Sequence, residues 1–276
     1  MKKYILLSPA KINLWLRITG KRDDGYHTLN SLIQKISLFD IIKVSEHYCD
    51  TVKFYNKKID SPNNTVSRAL MLFKEKGCVK KNFKIEVFKN IPTEAGLGGG
   101  SSNAGIVLNF LNKYVGNRFT LKELIKLGSF VGADVPLFIS GYSRILMEGI
   151  GEILSPHKNT EYNYWVLLIK PHISIPTSWA YKKLNFKLTN KFKSINKRLA
   201  EHSEFVNALE KPVIEKYKEI GEIKETLIAL GCKHSLMSGS GSVVYGLFEN
   251  KKVAIDAKSF FKNNYNSYKT FLAKFL

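Results

Sequence analysis

The stretch from Ile91 to Ala104 reads Ile-Pro-Thr-Glu-Ala-Gly-Leu-Gly-Gly-Gly-Ser-Ser-Asn-Ala. Gly96, Gly98, Gly99 and Gly100 crowd together, and Ser101 and Ser102 follow at once. Glycine lets the backbone come close to a bulky anion with no Cβ in the way. A helix that starts near the serines adds free N–H groups and the positive end of its dipole, and both favour phosphate. The serine hydroxyls can donate to that phosphate or ligate a magnesium ion. No Gly-Lys-Ser/Thr follows the glycines, so this is not a Walker A loop. Nor is it a dinucleotide fingerprint, because Ser101 stands where a third glycine is needed. A glycine turn that merely caps a helix is the plain alternative.

Other residues could do chemistry beside such a loop. Asp134 follows Gly132-Ala133 near a helix end, where an aspartate can simply form a turn. Beside a phosphate loop, a kinase also needs a carboxylate to take the proton of the attacking hydroxyl. Lys11 lies in a run of alternating apolar residues, where a lysine can snorkel from a sheet edge. Tyr26 and His27 follow the turn Asp23-Asp24-Gly25, and a ring there can stack on a nucleobase or pack ordinarily. Tyr181 stands four residues beyond Thr177, a spacing that also suits a core position on a helix.

The elements that must hold these residues are partly legible. Ile12, Leu14 and Leu16 alternate with polar or larger neighbours, as do Phe83, Ile85 and Val87, and both runs predict strands. The second strand runs through Asn90-Ile91-Pro92 into the loop. A helix is predicted from near Ser102, with Ala104, Val107, Leu108 and Leu111 on one side. Another starts at Asn64 or Thr65 and runs to Lys76, before Gly77. Thr120 and Glu123 form a capping box that opens a helix through Phe130. The polar stretch Ser155 to Asn163 marks a domain boundary, giving domains 1–156 and 157–276. Beyond it come a strand at Trp165–Lys170 and a helix at Ser178–Leu184, then a lysine-rich region, Lys182–Arg198, that is helix or loop. A helix ending at Gly231, strands at Ser235–Met237 and Val243–Phe248, a helix from Lys251 and a strand near Phe271 complete the pattern. That order predicts an α+β class, with helices on one face of a mostly antiparallel sheet.

Composition fits a folded domain and excludes dominant disorder, with 44% hydrophobic and 24% charged residues in 276. Cys49, Cys78 and Cys232 are scattered and odd in number, which argues for reduced thiols and against a zinc or disulfide framework. The apolar run Tyr4–Leu7 ends at Ser8-Pro9, too short for a signal peptide, and a cytoplasmic protein is expected. The net charge of +20 is spread along the chain, with no dense block. Such diffuse charge suits steering of anionic substrates better than a nucleic-acid or membrane footprint.

The loop Pro92–Ser102 resembles the phosphate loop of the GHMP kinases, Pro-x-x-x-Gly-Leu-Gly/Ala-Gly-Gly-Ser-Ser. Pro9-Ala10-Lys11-Ile12-Asn13-Leu14 is similar to the first motif of that family, and Met237-Ser238-Gly239-Ser240-Gly241 to its third. Within the family, Gly20-Lys21-Arg22-Asp23-Asp24-Gly25-Tyr26-His27 resembles the Gly-x-Arg-x-Asp-Gly-Tyr-His segment of the 4-diphosphocytidyl-2-C-methyl-D-erythritol kinases. Gly132-Ala133-Asp134-Val135-Pro136, Glu148-Gly149-Ile150-Gly151-Glu152 and Ile175-Pro176-Thr177 are similar to further segments of that branch. The loop departs from many members in carrying Thr93-Glu94-Ala95. Glu94 can turn outward, weaken ATP binding or approach the metal.

The resemblance implies two domains, the first like domain 2 of ribosomal protein S5 and the second ferredoxin-like. It implies ATP as co-substrate, held by Pro92, Thr93, Glu94, Ala95, Gly96, Leu97, Gly98, Gly99, Gly100, Ser101 and Ser102, with Mg2+ near Ser101 or Ser102. Asp134 would be the proton acceptor, and Lys11 would orient it and stabilise the attacking oxygen. Asn13, Tyr26, His27, Thr177 and Tyr181 would hold a cytidine diphosphate sugar alcohol. Homoserine or mevalonate kinases are the alternatives within the family, and an RNA-binding protein the alternative outside it. The base-stacking segment argues against the first, and the lack of clustered arginine against the second.

Overall fold

A computed structural model describes residues 2–55, 63–76, 79–157, 163–184 and 205–276. The chain forms two compact units that alternate along the sequence. The first comprises Met1–Ala10, Leu38–Thr93 and Gly98–Tyr142; the second comprises Lys11–Ser37, Glu94–Leu97 and Ser143–Leu276. Two long strands, β1 (Lys3–Lys21) and β2 (His27–His47), pair with each other, and each contributes to both units.

In the first unit, β3 (Thr51–Phe54) runs parallel to β4 (Asn82–Phe88), which runs antiparallel to the second half of β2. Alternation along β4 buries Phe83, Ile85 and Val87 with Ile42 and Val44 of β2. Among the described residues, four helices complete the unit: α1 (Thr65–Glu75), α2 (Gly99–Tyr114), α3 (Leu121–Val131) and the short α4 (Val135–Ile139). Asn64 caps α1 by accepting from the Ser67 N–H at 2.8 Å, and the Thr120–Glu123 capping box opens α3. Val66, Ala69, Leu70 and Phe73 of α1 meet Ala104, Val107, Leu108 and Leu111 of α2 in one apolar core. In contrast to α1 and α3, α2 begins at Gly98 with a left-handed backbone (φ +68°) and no side-chain cap. That leaves its first N–H groups without a side-chain acceptor at the cap, the arrangement anions use.

In the second unit, β5 (Arg144–Gly149) pairs antiparallel with the first half of β2, and β6 (Ile153–Pro156) pairs with β5. A separate antiparallel sheet has the order β10-β7-β9-β8, built from β7 (Trp165–Lys170), β8 (His234–Met237), β9 (Val244–Phe248) and β10 (Lys269–Lys274). Among the described residues, four helices belong here: α5 (Thr177–Lys182), α6 (Glu210–Lys216), α7 (Lys218–Ala229) and α8 (Lys251–Asn264). Helix α7 packs on β8 and β9, and α8 on β7 and β10. They bury Ile220, Ile223 and Leu227, and Ala254, Ala257 and Phe261. This is the expected α+β arrangement.

Cys49 and Cys232 are free thiols, and burial pushes the Cys232 pKa up to about 11. Gly77, Cys78, most of the lysine-rich stretch Lys182–Arg198 and the middle of the expected boundary Ser155–Asn163 lie outside the described residues. No helix among the described residues is long and apolar enough to cross a membrane.

Candidate active site

Lys11 and Asn13 stand two residues apart on β1 and therefore share a face. Both are buried, at 5% and 2% exposure. A buried ammonium needs a compensating acceptor. Lys11 Nζ finds one in Asn13 Oδ1 at 2.7 Å. Asn13 Nδ2 donates in turn to Ser31 Oγ on β2 at 2.8 Å, and the Ser31 hydroxyl donates to the Trp15 carbonyl at 2.6 Å. The Asn13 carbonyl accepts from the Tyr245 hydroxyl of β9 at 2.7 Å. The Lys11 and Ser31 bonds turn the Asn13 side-chain amide with its oxygen towards Lys11, and the Tyr245 bond holds its main chain.

Two glycine-bearing segments close on this pair. The Lys11 N–H donates to the Leu97 carbonyl at 3.0 Å, joining β1 to the middle of the loop. Gly96 there has φ +72°, and a Cβ on it would lie 1.9 Å from the Ser238 carbonyl oxygen. Ser238 Oγ donates to the Gly96 carbonyl at 3.0 Å. A Cβ on Gly239 would lie 3.4 Å from both Lys11 Nζ and Asn13 Oδ1. Lys11 and Asn13 of the first motif, the loop segment Glu94–Leu97 and the third motif thus pack together within the second unit.

Two residues outside the sequence motifs hold the third motif. Asn207 Nδ2 donates to the carbonyls of Met237 and Gly239 at 2.8 and 2.7 Å. Glu210 accepts from the Met237 N–H at 2.6 Å and pairs with Lys224. The available signal was an asparagine set among Val206, Ala208 and Leu209, which predicts a buried amide with fixed partners.

The residues assigned to the acceptor also belong to the second unit. Tyr26 is 63% exposed and follows a turn in which its N–H donates to Asp24 Oδ1 at 3.1 Å. The His27 and Tyr181 rings lie 5.8 Å apart, tilted by 34°. Burial first, and then the charge of Lys21, hold the His27 imidazole below its usual pKa, favouring the neutral ring. Thr177, at the start of α5, has its hydroxyl 2.9 Å from that of Ser240 in the third motif. Glu94 is exposed with φ +50°, and its carboxylate accepts from the Ser174 hydroxyl.

The remaining assigned residues belong to the first unit: Pro92, Thr93, Gly98, Gly99, Gly100, Ser101, Ser102 and Asp134. Ser101 is half-buried at the first turn of α2, whereas Ser102 is fully buried and its Oγ accepts from Ser8 Oγ at 2.7 Å. Asp134 is half-buried at the N-cap of α4 and makes no side-chain cap bond there. Two helical glycines seat α4. A Cβ on Gly105 of α2 would lie 2.8 Å from Phe138 Cβ, and one on Gly128 of α3 would lie 2.4 Å from Ile139 Cδ1. With α4 docked so closely, the position of Asp134 is set by packing.

The GHMP kinases N terminal domain matches residues 64–142, and the GHMP kinases C terminal domain matches residues 184–267. The 4-diphosphocytidyl-2-C-methyl-D-erythritol kinase of Thermodesulfovibrio yellowstonii is 40% identical over 269 residues, 92% of each chain. The chain belongs to this family of GHMP kinases. A crystal structure of 4-(cytidine 5'-diphospho)-2C-methyl-D-erythritol kinase matches with a TM-score of 0.83 and 30% identity, covering 99% of both chains. The homoserine kinase of Cytophaga hutchinsonii matches with a TM-score of 0.72 at 15% identity, covering 100% of this chain and 95% of its own, a likeness of fold alone. The two-domain GHMP kinase fold expected from the motifs is therefore the fold of this chain.

Proposed function

We propose that this chain transfers the γ-phosphoryl group of ATP to the 2-hydroxyl of 4-diphosphocytidyl-2-C-methyl-D-erythritol, in the non-mevalonate route to isoprenoid precursors. The observation that carries this reading is the 40% identity across 92% of both chains to a kinase named for that acceptor. In the step, the hydroxyl oxygen bonds to the γ-phosphorus as its proton passes to the Asp134 carboxylate. The bond to the β,γ-bridging oxygen breaks and its electron pair leaves with ADP. Such a transfer needs position and charge neutralisation more than covalent help. Lys11, held by Asn13 at 2.7 Å, offers an ammonium to the charge on the attacking oxygen. The loop Pro92–Ser102 holds the triphosphate through its backbone N–H groups. Tyr26, His27, Thr177 and Tyr181 hold the cytidine end, with Asn13 nearer the reacting end.

Mg2+ neutralises charge on the phosphate oxygens when bound. It takes few protein ligands beside phosphate and water. The half-buried Ser101 hydroxyl fits that role, whereas Ser102 Oγ is engaged by Ser8. The net charge of +20 suits two highly anionic substrates, and the reading places the protein in the cytoplasm with no nucleic-acid partner. We also propose family modules at 1–156 and 157–276, which the separate matches over 64–142 and 184–267 support. ATP consumption with a panel of acceptors tests the reading. Consumption should require the cytidine-bearing acceptor, and equal consumption with homoserine or mevalonate would overturn it.

A further inference from the structure

The first unit contains a buried polar cluster that no motif announced. Ser8 on β1, Asp40 on β2, and Ser102 and Asn103 on α2 have no exposed surface, and the side chain of Lys89, just after β4, is 5% exposed. Asp40 Oδ1 accepts the N–H groups of Asn90 and Ile91, both at 2.8 Å. Its Oδ2 accepts from Asn103 Nδ2 at 2.9 Å and from Lys89 Nζ. Asn90 and Ile91 lead directly into Pro92, and Asn103 directly follows Ser102. One carboxylate therefore grips the chain at both ends of the phosphate loop.

The cluster also has a direction. Lys89 only donates and ionised Asp40 only accepts, so between them they fix the Asn103 amide. Its Oδ1 takes a bond from Lys89 Nζ at 3.1 Å, and its two Nδ2 hydrogens go to Asp40 and to Ser8 Oγ, the latter at 2.8 Å. Ser8, already an acceptor, gives its own hydrogen to Ser102 Oγ at 2.7 Å. A Cβ on Gly99 would lie 3.1 Å from Lys89 Nζ, so the ammonium sits directly against the first turn of α2. A buried ion pair adds little net stability compared with apolar residues of the same size. What this one does add is geometry.

We propose that Asp40 and Lys89 are positioning residues for the nucleotide, setting the mouth of the phosphate loop and the orientation of Ser102 without touching substrate. This rests on the reading that the loop holds ATP. Asp40→Asn alone would strand a buried lysine, so the informative variant is Asp40→Asn with Lys89→Met. The new amide keeps an oxygen for the Asn90 and Ile91 N–H groups, but with both charges gone nothing fixes the Asn103 amide, so Ser8 and Ser102 lose the orientation it imposes. Three quantities are measured: ATP affinity by calorimetry on the chain alone, the KM for each substrate, and the thermal midpoint.

The proposal expects a midpoint within a few degrees of wild type. ATP binding should weaken roughly 10- to 100-fold, with the acceptor KM moved less than about twofold. Unchanged ATP affinity in a folded variant overturns it, as does equal weakening of ATP and acceptor. A wild-type chain that binds no ATP removes the underlying reading, and the proposal with it. If the double variant does not fold, Ser8→Ala decides, since it removes the hydrogen given to Ser102. A roughly threefold weaker ATP affinity supports the proposal, and an unchanged one overturns it.

Discussion

Replacing Gly96 with alanine perturbs a point where the loop lies directly against the third motif. Two costs follow from the geometry. With φ at +72°, an L-residue takes on a left-handed backbone, worth about 1–2 kcal/mol. The new Cβ would also lie 1.9 Å from the Ser238 carbonyl oxygen and 2.8 Å from its carbon. These are backbone atoms, so relief requires the two segments to part, and overpacking of this kind adds about 1–3 kcal/mol. The sum is roughly 2–5 kcal/mol. Gly25 supplies the reference, because its φ is +87° and nothing lies within 4 Å of a Cβ there. Gly25→Ala should therefore lose only the first part, about 1–2 kcal/mol. Denaturant midpoints at constant slope measure both. Gly96→Ala should also lower kcat, since the parted segments include the carbonyls that hold Lys11 and Ser238. Equal destabilisation by the two variants would refute the steric reasoning.

Three further outcomes are expected. Tyr26→Ala should raise the acceptor KM by the equivalent of about 1–3 kcal/mol and leave the KM for ATP nearly fixed, with Tyr26→Phe silent; steady-state kinetics with both substrates check this. Asp134→Asn should cut phosphoryl transfer by roughly 10²–10⁴ while calorimetry still shows ATP binding, and near-normal turnover would remove Asp134 as the base. Burial is the leading cause that holds His27, His157 and His234 below the usual histidine pKa. The unfolded chain then binds more protons than the fold just below about pH 6.5, so stability falls as pH drops through that value towards the folded pKa. Melting scans from about pH 7 to about pH 5.5 should show that fall, and His234→Gln should show a smaller one.

The constellation was legible where one residue type has one use. The Thr120–Glu123 box forms as its spacing predicts, and Lys11, Gly96 and Gly239, singled out by type, lie close together. Strand β2, which spans His27–His47, is not legible in the sequence pattern. Its sequence, with Ser31, Gln34, Lys35 and Asp40 among apolar residues, breaks the two-residue alternation because it buries polar groups as well. Strands β5 and β6 carry too little pattern to be legible, being short and joined by a glycine-rich turn. Asp40, Asn103, Asn207 and Glu210 stayed hidden for a related reason. Their partners lie far off in sequence, and only the fold shows that each is satisfied.

Product analysis of ATP with 4-diphosphocytidyl-2-C-methyl-D-erythritol tests the central claim most directly. Phosphorus NMR should show ADP and one new phosphomonoester, on the 2-hydroxyl of the acceptor, forming in equal amounts. Release of inorganic phosphate with the acceptor unchanged, or a phosphate on another hydroxyl, would contradict the account.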